Sequence, residues 1–331
     1  MARCFVTGGT GFVGSHIVRL LEQRGHKVEI MIRETSSLDL VDGYTYKKCI
    51  GDVTDGDCLN NIISEEIEWL FHNAGVMAEW GGREKFFPVN VEGTRNILEV
   101  VRKKDIPQLI HTSSTALYGF PNRTEPLLED DPWKPMNNYQ RSKAAAEALI
   151  TEYEKAYGIK ATRVRPPTVL GHGDMFTGPQ IIDFIQNGSM VTFGGGKNLQ
   201  SFVHADDVAE CLVLAAENFD KAAGNAYNVT SFTCRFIEFI ESIASELGAE
   251  NKFRNFPYRA ALGLGKISAG IYSTARRKNA PLLTDFRVLL FGSNYVIGTD
   301  KAKKDLGFSP KWDLSSTVRD MVQWKGFVKP R

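Results

Sequence analysis

A glycine-rich turn near the N-terminus constrains the fold of this chain more than any other feature. The segment TGGTGFVG (7–14) joins an apolar run typical of a strand, Arg3–Thr7, to a pattern typical of an amphipathic helix, 12–24. Glycines at 8, 11 and 14 allow a tight turn, close approach of a pyrophosphate, and packing of helix on strand. A second strand, Lys27–Ile32, follows. This context favours a dinucleotide-binding turn, with phosphates at the helix N-terminus, over an ordinary glycine turn.

Strands continue to alternate with helices up to residue 165. The further predicted elements are strands at 46–50, 69–72, 108–112 and 161–165, and helices at 89–104 and 138–157. This order is typical of an α/β protein with a Rossmann-type, doubly wound parallel sheet. Beyond 165 the regularity breaks. We therefore expect a dinucleotide-binding domain at 1–170, to which 202–232 returns, and a smaller C-terminal α+β substrate domain formed by 171–201 and 233–331.

The residue that closes the second strand selects the cofactor. An acidic residue there would bind the ribose 2′-hydroxyl of NAD, whereas Arg33 suits the 2′-phosphate of NADP. Arg33 can also be a solvated strand-end charge, with Glu34 in the acidic role. We expect NADP(H) to be favoured, with NAD(H) possible.

Tyr139 and Lys143 stand four residues apart on the predicted helix 138–157, and so share one face. A nearby ammonium favours the phenolate and lowers the pKa of the phenol, which suits a general acid/base. Ser113 and Ser114 follow the fifth strand, where such a sheet presents groups to a ligand. One of these hydroxyls is the expected third member of the site, although most hydroxyls here can simply cap backbone groups.

Seven motifs in a fixed order carry a resemblance to a known family. They are TGGTGFVG (7–14), HNAG (72–75), TSSTALYG (112–119), YQRSK (139–143), RPPTVLG (165–171), FVHADDVA (202–209) and KAKKDLGFSP (301–310). The chain resembles an extended short-chain dehydrogenase/reductase of the NAD-dependent epimerase/dehydratase superfamily over nearly its whole length. Its pattern is most similar to the 3β-hydroxysteroid dehydrogenase and dihydroflavonol reductase-like branch.

The resemblance implies roles for individual residues. Ser114 orients the substrate oxygen, Tyr139 is the general acid/base, and Lys143 binds the nicotinamide ribose and lowers the tyrosine pKa. Asn90 matches an asparagine that supports the active site through a water. The full expected cofactor-binding set is Gly8, Thr10, Gly11, Phe12, Val13, Gly14, Arg33, Asp52, Val53, Asn73, Ala74, Gly75, Lys143, Pro166 and Val169.

Three functions fit the family: an alcohol/ketone oxidoreductase, a nucleotide-sugar epimerase or dehydratase, and a non-catalytic dinucleotide sensor. Thr115 and Ala116 follow the serines where dehydratases carry an acidic pair. Gln200 and Ser201 stand where epimerases often have a phosphate-binding arginine. Sensors typically lose the Tyr/Lys pair. The sequence therefore favours hydride transfer to or from a largely apolar alcohol or ketone, such as a hydroxysteroid, sterol or flavonol.

Composition limits the partners and the environment. A net charge of +1 gives no electrostatic case for nucleic acid. Five scattered cysteines and six isolated histidines suggest neither a disulfide framework nor a metal site. With no secretory signal or spanning segment, we expect a cytoplasmic homodimer acting on a small molecule. The apolar segment 253–272, followed by basic 276–278, is either a core helix or a lining for an apolar substrate, with possible peripheral membrane contact through 260–278.

Overall fold

The computed structural model describes residues 1–275, 277 and 279–327, in which fourteen strands form three sheets. Its strands are β1 (Arg3–Thr7), β2 (Lys27–Ile32), β3 (Lys47–Ile50), β4 (Trp69–His72), β5 (Gln108–Thr112), β6 (Arg123–Leu127), β7 (Ala161–Arg165), β8 (Thr168–Leu170), β9 (Val191–Phe193), β10 (Leu199–His204), β11 (Ala226–Asn228), β12 (Phe232–Arg235), β13 (Arg254–Phe256) and β14 (Tyr295–Ile297). The main sheet contains seven of them in the order β3-β2-β1-β4-β5-β7-β11, and every pairing is parallel. The predicted doubly wound parallel sheet is therefore confirmed.

Thirteen α-helices accompany the strands in the described residues. They are α1 (Phe12–Gln23), α2 (Gly56–Ile62), α3 (Arg83–Phe87), α4 (Gly93–Lys103), α5 (Asn138–Tyr157), α6 (Thr177–Gln186), α7 (Ala205–Glu217), α8 (Phe219–Ala222), α9 (Phe236–Glu246), α10 (Tyr258–Thr274), α11 (Asp285–Gly292), α12 (Asp300–Leu306) and α13 (Leu314–Phe327). Because side chains alternate along a strand, Cys4 and Val6 of β1 pack with α1 and α7, while Phe5 packs with α4 and α5. The strands are buried on both sides, which explains their nearly continuous apolar runs.

A second sheet, in the order β12-β10-β14-β6 with β8 paired to β10, lies in the less regular half of the chain. It contains β10, so this strand does not return to the main sheet. The following helix α7 packs on α1, and β11 forms the edge of the main sheet. Ala302 and Leu306 of α12 also join the core around α1. The domain limits stay a prediction.

The helix that carries Tyr139 and Lys143 has well-defined ends. Asn137 caps α5 by accepting a hydrogen bond from the Gln140 N–H at 2.9 Å, and the Gln140 side chain accepts one from the Asn137 N–H in return. Gly158 ends the helix in a left-handed conformation, with φ of 70°. These signals explain why the predicted bounds 138–157 are confirmed.

The helical segment before β5 is longer than predicted. It begins at Arg83 rather than at residue 89, and one π-helical turn, Pro88–Glu92, joins α3 to α4. The proline at 88 starts this turn, which holds Asn90 at 3% exposure. A π-helical turn inside a longer helix is frequently found at functional sites.

Candidate active site

The glycine turn folds as a closely packed loop between β1 and α1. Gly8 has φ of 68°, and a Cβ there would lie 2.8 Å from the backbone nitrogen of Ala74. A Cβ on Gly14 would overlap the carbonyl oxygen of Gly8, so glycine allows α1 to pack on the turn. Gly11 is different, because it is exposed and a Cβ there would meet only the Gly8 oxygen, at 3.3 Å. The exposed side of Gly11 is where the sequence predicts a pyrophosphate.

The residues present fit a dinucleotide at this turn. Gly11 is the N-cap of α1, and within the described chain no side chain caps this helix end. The first N–H groups of α1 are therefore available to an anion, with the helix dipole favouring negative charge. The predicted residues Thr10, Phe12 and Val13 lie at this helix end and are all partly exposed.

The end of β4 connects the glycine turn to the predicted catalytic lysine. Asn73 donates a hydrogen bond from Nδ2 to the Gly8 oxygen at 3.3 Å, and the Ala74 N–H donates to Thr7 Oγ1 at 3.1 Å. A Cβ on Gly75 would lie 3.7 Å from Lys143 Nζ. The structure thus brings together the predicted residues 73–75, the glycine turn and Lys143 at one edge of the sheet.

Lys143 is a buried cation at the carboxyl end of β5. Its side chain is 7% exposed, and Nζ donates a hydrogen bond to the Thr112 carbonyl oxygen at 2.8 Å. Burial lowers the pKa of Lys143 to about 8, although the Glu147 carboxylate raises it in part. The ammonium is therefore still charged at neutral pH, and its carbonyl contact fixes where that charge lies.

Tyr139 and Ser114 are brought together, but the expected effect of Lys143 on the phenol is not seen. Burial raises the pKa of the Tyr139 phenol above its ordinary value, and the neighbouring Ser114 hydroxyl opposes this effect. The prediction of a lowered phenol pKa is therefore wrong for this structure, because burial raises the pKa more than the Ser114 hydroxyl lowers it. Ser114 Oγ also accepts a hydrogen bond from the Ala116 N–H at 3.1 Å, which orients the hydroxyl.

Asn90 holds three parts of the site together. Its Oδ1 accepts from the Val76 N–H at 2.7 Å, and its Nδ2 donates to the Val76 carbonyl at 3.0 Å and to Ser142 Oγ at 2.8 Å. Ser142 in turn donates to the Tyr139 carbonyl at 2.7 Å. Asn90 thereby links the segment after β4 to the first turn of α5 through direct hydrogen bonds.

The residues predicted around the adenosine and nicotinamide ends lie in different settings. Arg33 is exposed just after β2, and its N–H donates to Ser36 Oγ at 3.0 Å. Asp52 accepts from the Thr54 N–H at 2.9 Å, and Val53 is buried. Pro166 accepts the Thr115 N–H at 3.0 Å, beside the predicted hydroxyl pair, while Val169 lies in β8, opposite Val203 of β10.

A buried polar network behind the site was not foreseen from the sequence. Ser113 donates to the Glu147 carboxylate, which also accepts from Arg165 Nε at 2.8 Å. Arg165 then donates to the Tyr118 hydroxyl at 2.7 Å. Ser113 therefore faces away from the Ser114–Tyr139 pair and ties β5 to α5. The spacing of Glu147, one helical turn after Lys143, was the available sequence signal.

Three of the histidines predicted to be isolated, His16, His172 and His204, take part in neighbouring contacts. His16 of α1 bonds to Asp206 of α7 and, through Nε2, to the His172 carbonyl oxygen at 2.8 Å. His204 Nε2 lies 3.0 Å from an oxygen of Asp320. These contacts hold the 171–174 loop against the start of α1, where a Cβ on Gly173 would lie 3.1 Å from the Phe12 ring. Throughout the part of the chain that is described, no group of three such side chains is placed to hold a metal ion.

The parallel sheet with its glycine turn, and Lys143 beside Gly75 at the same edge, are typical of a nicotinamide-dependent enzyme of the short-chain dehydrogenase/reductase class. A family model described as the NAD dependent epimerase/dehydratase family matches residues 4–230. The chain belongs to this family, and the resemblance to extended short-chain dehydrogenases/reductases is confirmed.

Relatives and solved structures match the chain over almost its whole length. A 4-hydroxy-2-methyl-3-oxo-4-farnesyl-3,4-dihydroquinoline-1-oxide ketoreductase from Stigmatella aurantiaca is 27% identical, over 93% of this chain and 92% of its own. The decarboxylating sterol-4-alpha-carboxylate 3-dehydrogenase of Mus musculus is 27% identical, over 97% of this chain and 90% of its own. The crystal structure of gox2253 superposes with a TM-score of 0.84 at 26% identity, covering 98% of each chain.

Proposed function

We propose that this enzyme transfers a hydride between a nicotinamide and a largely apolar alcohol or ketone. The observation that carries the proposal is that Tyr139 bonds to Ser114 one helical turn before Lys143, which is bound to Thr112 and lies near Gly75. The relatives similar to this chain include a ketoreductase of a farnesylated quinoline oxide and a sterol 3-dehydrogenase. Both names describe oxidoreductases with large apolar substrates, which supports the same class here.

The reaction assigns a separate task to each side chain. A bound nicotinamide dinucleotide supplies or accepts the hydride. Tyr139 gives a proton to the substrate oxygen during reduction and takes one during oxidation. Ser114 hydrogen-bonds the same oxygen and holds it near the phenol. Lys143, buried and positively charged at neutral pH, favours the negative charge that develops on the substrate oxygen.

The rim of the site supports an apolar substrate. Met77 follows Val76, which is bound to Asn90, and is 46% exposed. Met136 immediately precedes the cap of α5 and is 41% exposed. Exposed methionines beside catalytic groups suit the adaptable binding of an apolar ligand.

The positions at which epimerases often carry a phosphate-binding arginine hold Gln200 and Ser201, and both side chains are hydrogen-bonded to other groups. Gln200 is buried and donates to the Ser293 carbonyl at 2.5 Å, while Ser201 pairs with Thr233 Oγ1 at 2.7 Å. Neutral side chains held by other partners thus stand where epimerases often have a phosphate-binding arginine, which supports an alcohol or ketone over the epimerase alternative. The intact Tyr139 and Lys143 pair likewise disfavours a non-catalytic sensor.

A substrate panel tests the proposal. With either reduced nicotinamide cofactor, the enzyme should reduce keto-steroids or aryl ketones and should leave UDP-sugars unchanged. Thermal unfolding gives an independent measurement, because a ligand at a hundred times its Kd stabilises the folded state by about 2.7 kcal/mol. A saturable rise in melting temperature with UDP alone, without turnover of any ketone, would favour the epimerase.

Arg33 supports a preference for NADP(H) within the NAD-dependent family. Its exposed position directly after β2 leaves the guanidinium accessible to a 2′-phosphate. Glu34, also exposed, is the competing group that would favour NAD(H). The preference is tested by the Arg33 substitution described in the Discussion.

A further inference from the structure

The surface helix α10 buries its small residues and exposes its large apolar ones. Ala261 and Gly265 face inward, and a Cβ on Gly265 would lie 2.7 Å from the backbone nitrogen of Asp285, at the start of α11. Glycine at this position lets the two helices pack closely. The packed face thus uses small side chains, whereas a surface helix usually turns its large apolar side chains towards the core.

The outer face of α10 carries a stripe of aliphatic side chains. Leu264, Ile267 and Ile271 are 57%, 63% and 61% exposed, and their spacing of three and four residues puts them on one side of the helix. Leu282, beyond the end of the helix, is 83% exposed. A contiguous apolar face of this kind on a folded protein marks an interaction surface. We call Leu264, Ile267 and Ile271 the α10 stripe.

The charge around the α10 stripe indicates what covers it. Residues 251–284 include seven Lys or Arg and no Asp or Glu, in a chain whose net charge is only +1. Five of these are exposed, namely Lys252, Arg254, Arg259, Lys266 and Arg277, and Lys252 is paired with Glu250 at 2.7 Å. Lys266 lines a shallow groove together with Ile267 and Ile271. Arg276 and Lys278 lie outside the described residues. Apolar side chains bordered by cations complement an anionic lipid surface.

A second copy of the chain suits this face less well. Pairing two α10 stripes would bring two sets of cations together without acidic partners, and like charges oppose such a contact. No helix among the residues described is long and apolar enough to cross a membrane. A membrane contact through α10 would therefore lie in the plane of the interface.

The α10 stripe is connected to the first turn of α5, which carries Tyr139. Just beyond α10, the carbonyl of Arg277 accepts a hydrogen bond from Trp80 Nε1 at 3.1 Å. One residue later, the Gly81 carbonyl accepts from Asn138 Nδ2 at 3.0 Å, next to Tyr139. The 79–82 segment thus lies between the residues that follow α10 and the first turn of α5.

We infer that the protein binds peripherally to anionic membranes through the α10 stripe and its basic border. This places the 79–82 segment, which contacts the start of α5 next to Tyr139, near the lipid surface that would hold an apolar molecule. The membrane contact is independent of the proposed reaction, because it is measured without turnover.

Flotation of the full chain with lipid vesicles tests the inference. At low salt the protein should float with vesicles of equimolar phosphatidylcholine and phosphatidylserine, and more weakly with phosphatidylcholine alone. Neutralising Lys266 with Lys266→Gln should lower partitioning about fivefold. The exposed Lys304 of α12 provides the matched control, and Lys304→Gln should leave partitioning unchanged.

A second pair of variants tests the apolar part. Ile267→Asp combined with Ile271→Asp should lower partitioning roughly tenfold or more. Tyr157→Asp, at an exposed aromatic position on α5, should have little effect. Thermal unfolding of each variant shows whether it is folded. Wild-type protein that stays with the aqueous phase, or folded stripe variants that float like wild type, would overturn the inference. So would self-association that the stripe substitutions abolish, without vesicle binding.

Discussion

Replacing Lys143 by methionine should change how the stability of the protein depends on pH. The Lys143 ammonium is buried, and burial lowers its pKa to about 8 in the folded state. In an unfolded chain a lysine has a pKa of about 10.4. Between these two values the unfolded state binds a proton that the folded state does not. The free energy of unfolding of the wild type therefore rises with pH in this range.

The size of the effect follows from the two pKa values of Lys143. Each unit by which burial lowers the pKa corresponds to about 1.36 kcal/mol, so the charged lysine destabilises the fold by about 3 kcal/mol near neutral pH. Most of this cost is gone at about pH 10, where the folded protein carries a neutral amine. Relative to Lys143→Met, the wild type should gain about 2–3 kcal/mol between about pH 7 and pH 10. Altered packing and the lost bond to Thr112 contribute equally at both pH values.

Urea unfolding followed by circular dichroism measures the effect at both pH values in cofactor-free protein. Lys155→Met, at an exposed lysine on the same helix, is the control and should follow the wild-type profile. Because wild type and variant share all other titrating groups, the contributions of these groups cancel in the difference between the two free energies of unfolding. Parallel profiles for wild type and Lys143→Met would refute the reasoning, since they would mean that the Lys143 amine is not desolvated.

Two further predictions concern the cofactor. Gly11→Val should abolish dinucleotide binding, measured by calorimetric titration, with little loss of stability, because Gly11 is exposed and a Cβ there would meet only the Gly8 oxygen, at 3.3 Å. If the Gly11 variant binds the dinucleotide normally, the phosphates lie elsewhere. In contrast, Gly14→Ala should lower the melting temperature, since its Cβ would overlap the Gly8 oxygen. The wild type should bind NADPH roughly tenfold more tightly than NADH, and Arg33→Asp should reverse this ratio. An unchanged ratio would show that Arg33 does not contact the cofactor.

The main sheet was predictable because its signals are local. Strands β1, β2, β4, β5 and β7 have the predicted bounds, since each is a short apolar run closed by polar or glycine residues. The first helix ends one residue earlier than predicted, and β3 begins one residue later. Such small differences are expected where helix ends fray and edge strands are short.

Features that depend on long-range contacts were not predictable in the same way. The pairing of β10 with β12, β14 and β8 joins segments far apart in the chain, so no local period reveals it. The contact between His16 and Asp206 likewise spans most of the chain. The pKa of Tyr139 depends on how deeply the phenol is buried, and the spacing to Lys143 gives no measure of that. Residue types and order therefore predicted the candidate site, but not its electrostatic balance.

Tyr139→Phe tests the central claim most directly, in an assay that follows nicotinamide absorbance with the best ketone from the substrate panel. General acid/base catalysis contributes roughly 10²–10⁴ in rate, so kcat should fall by at least this range while the dinucleotide Kd stays nearly unchanged. Tyr157→Phe removes a hydroxyl from the exposed end of the same helix and should retain wild-type turnover. If Tyr139→Phe turns over at close to the wild-type rate, Tyr139 is not the proton donor and the proposed mechanism is wrong.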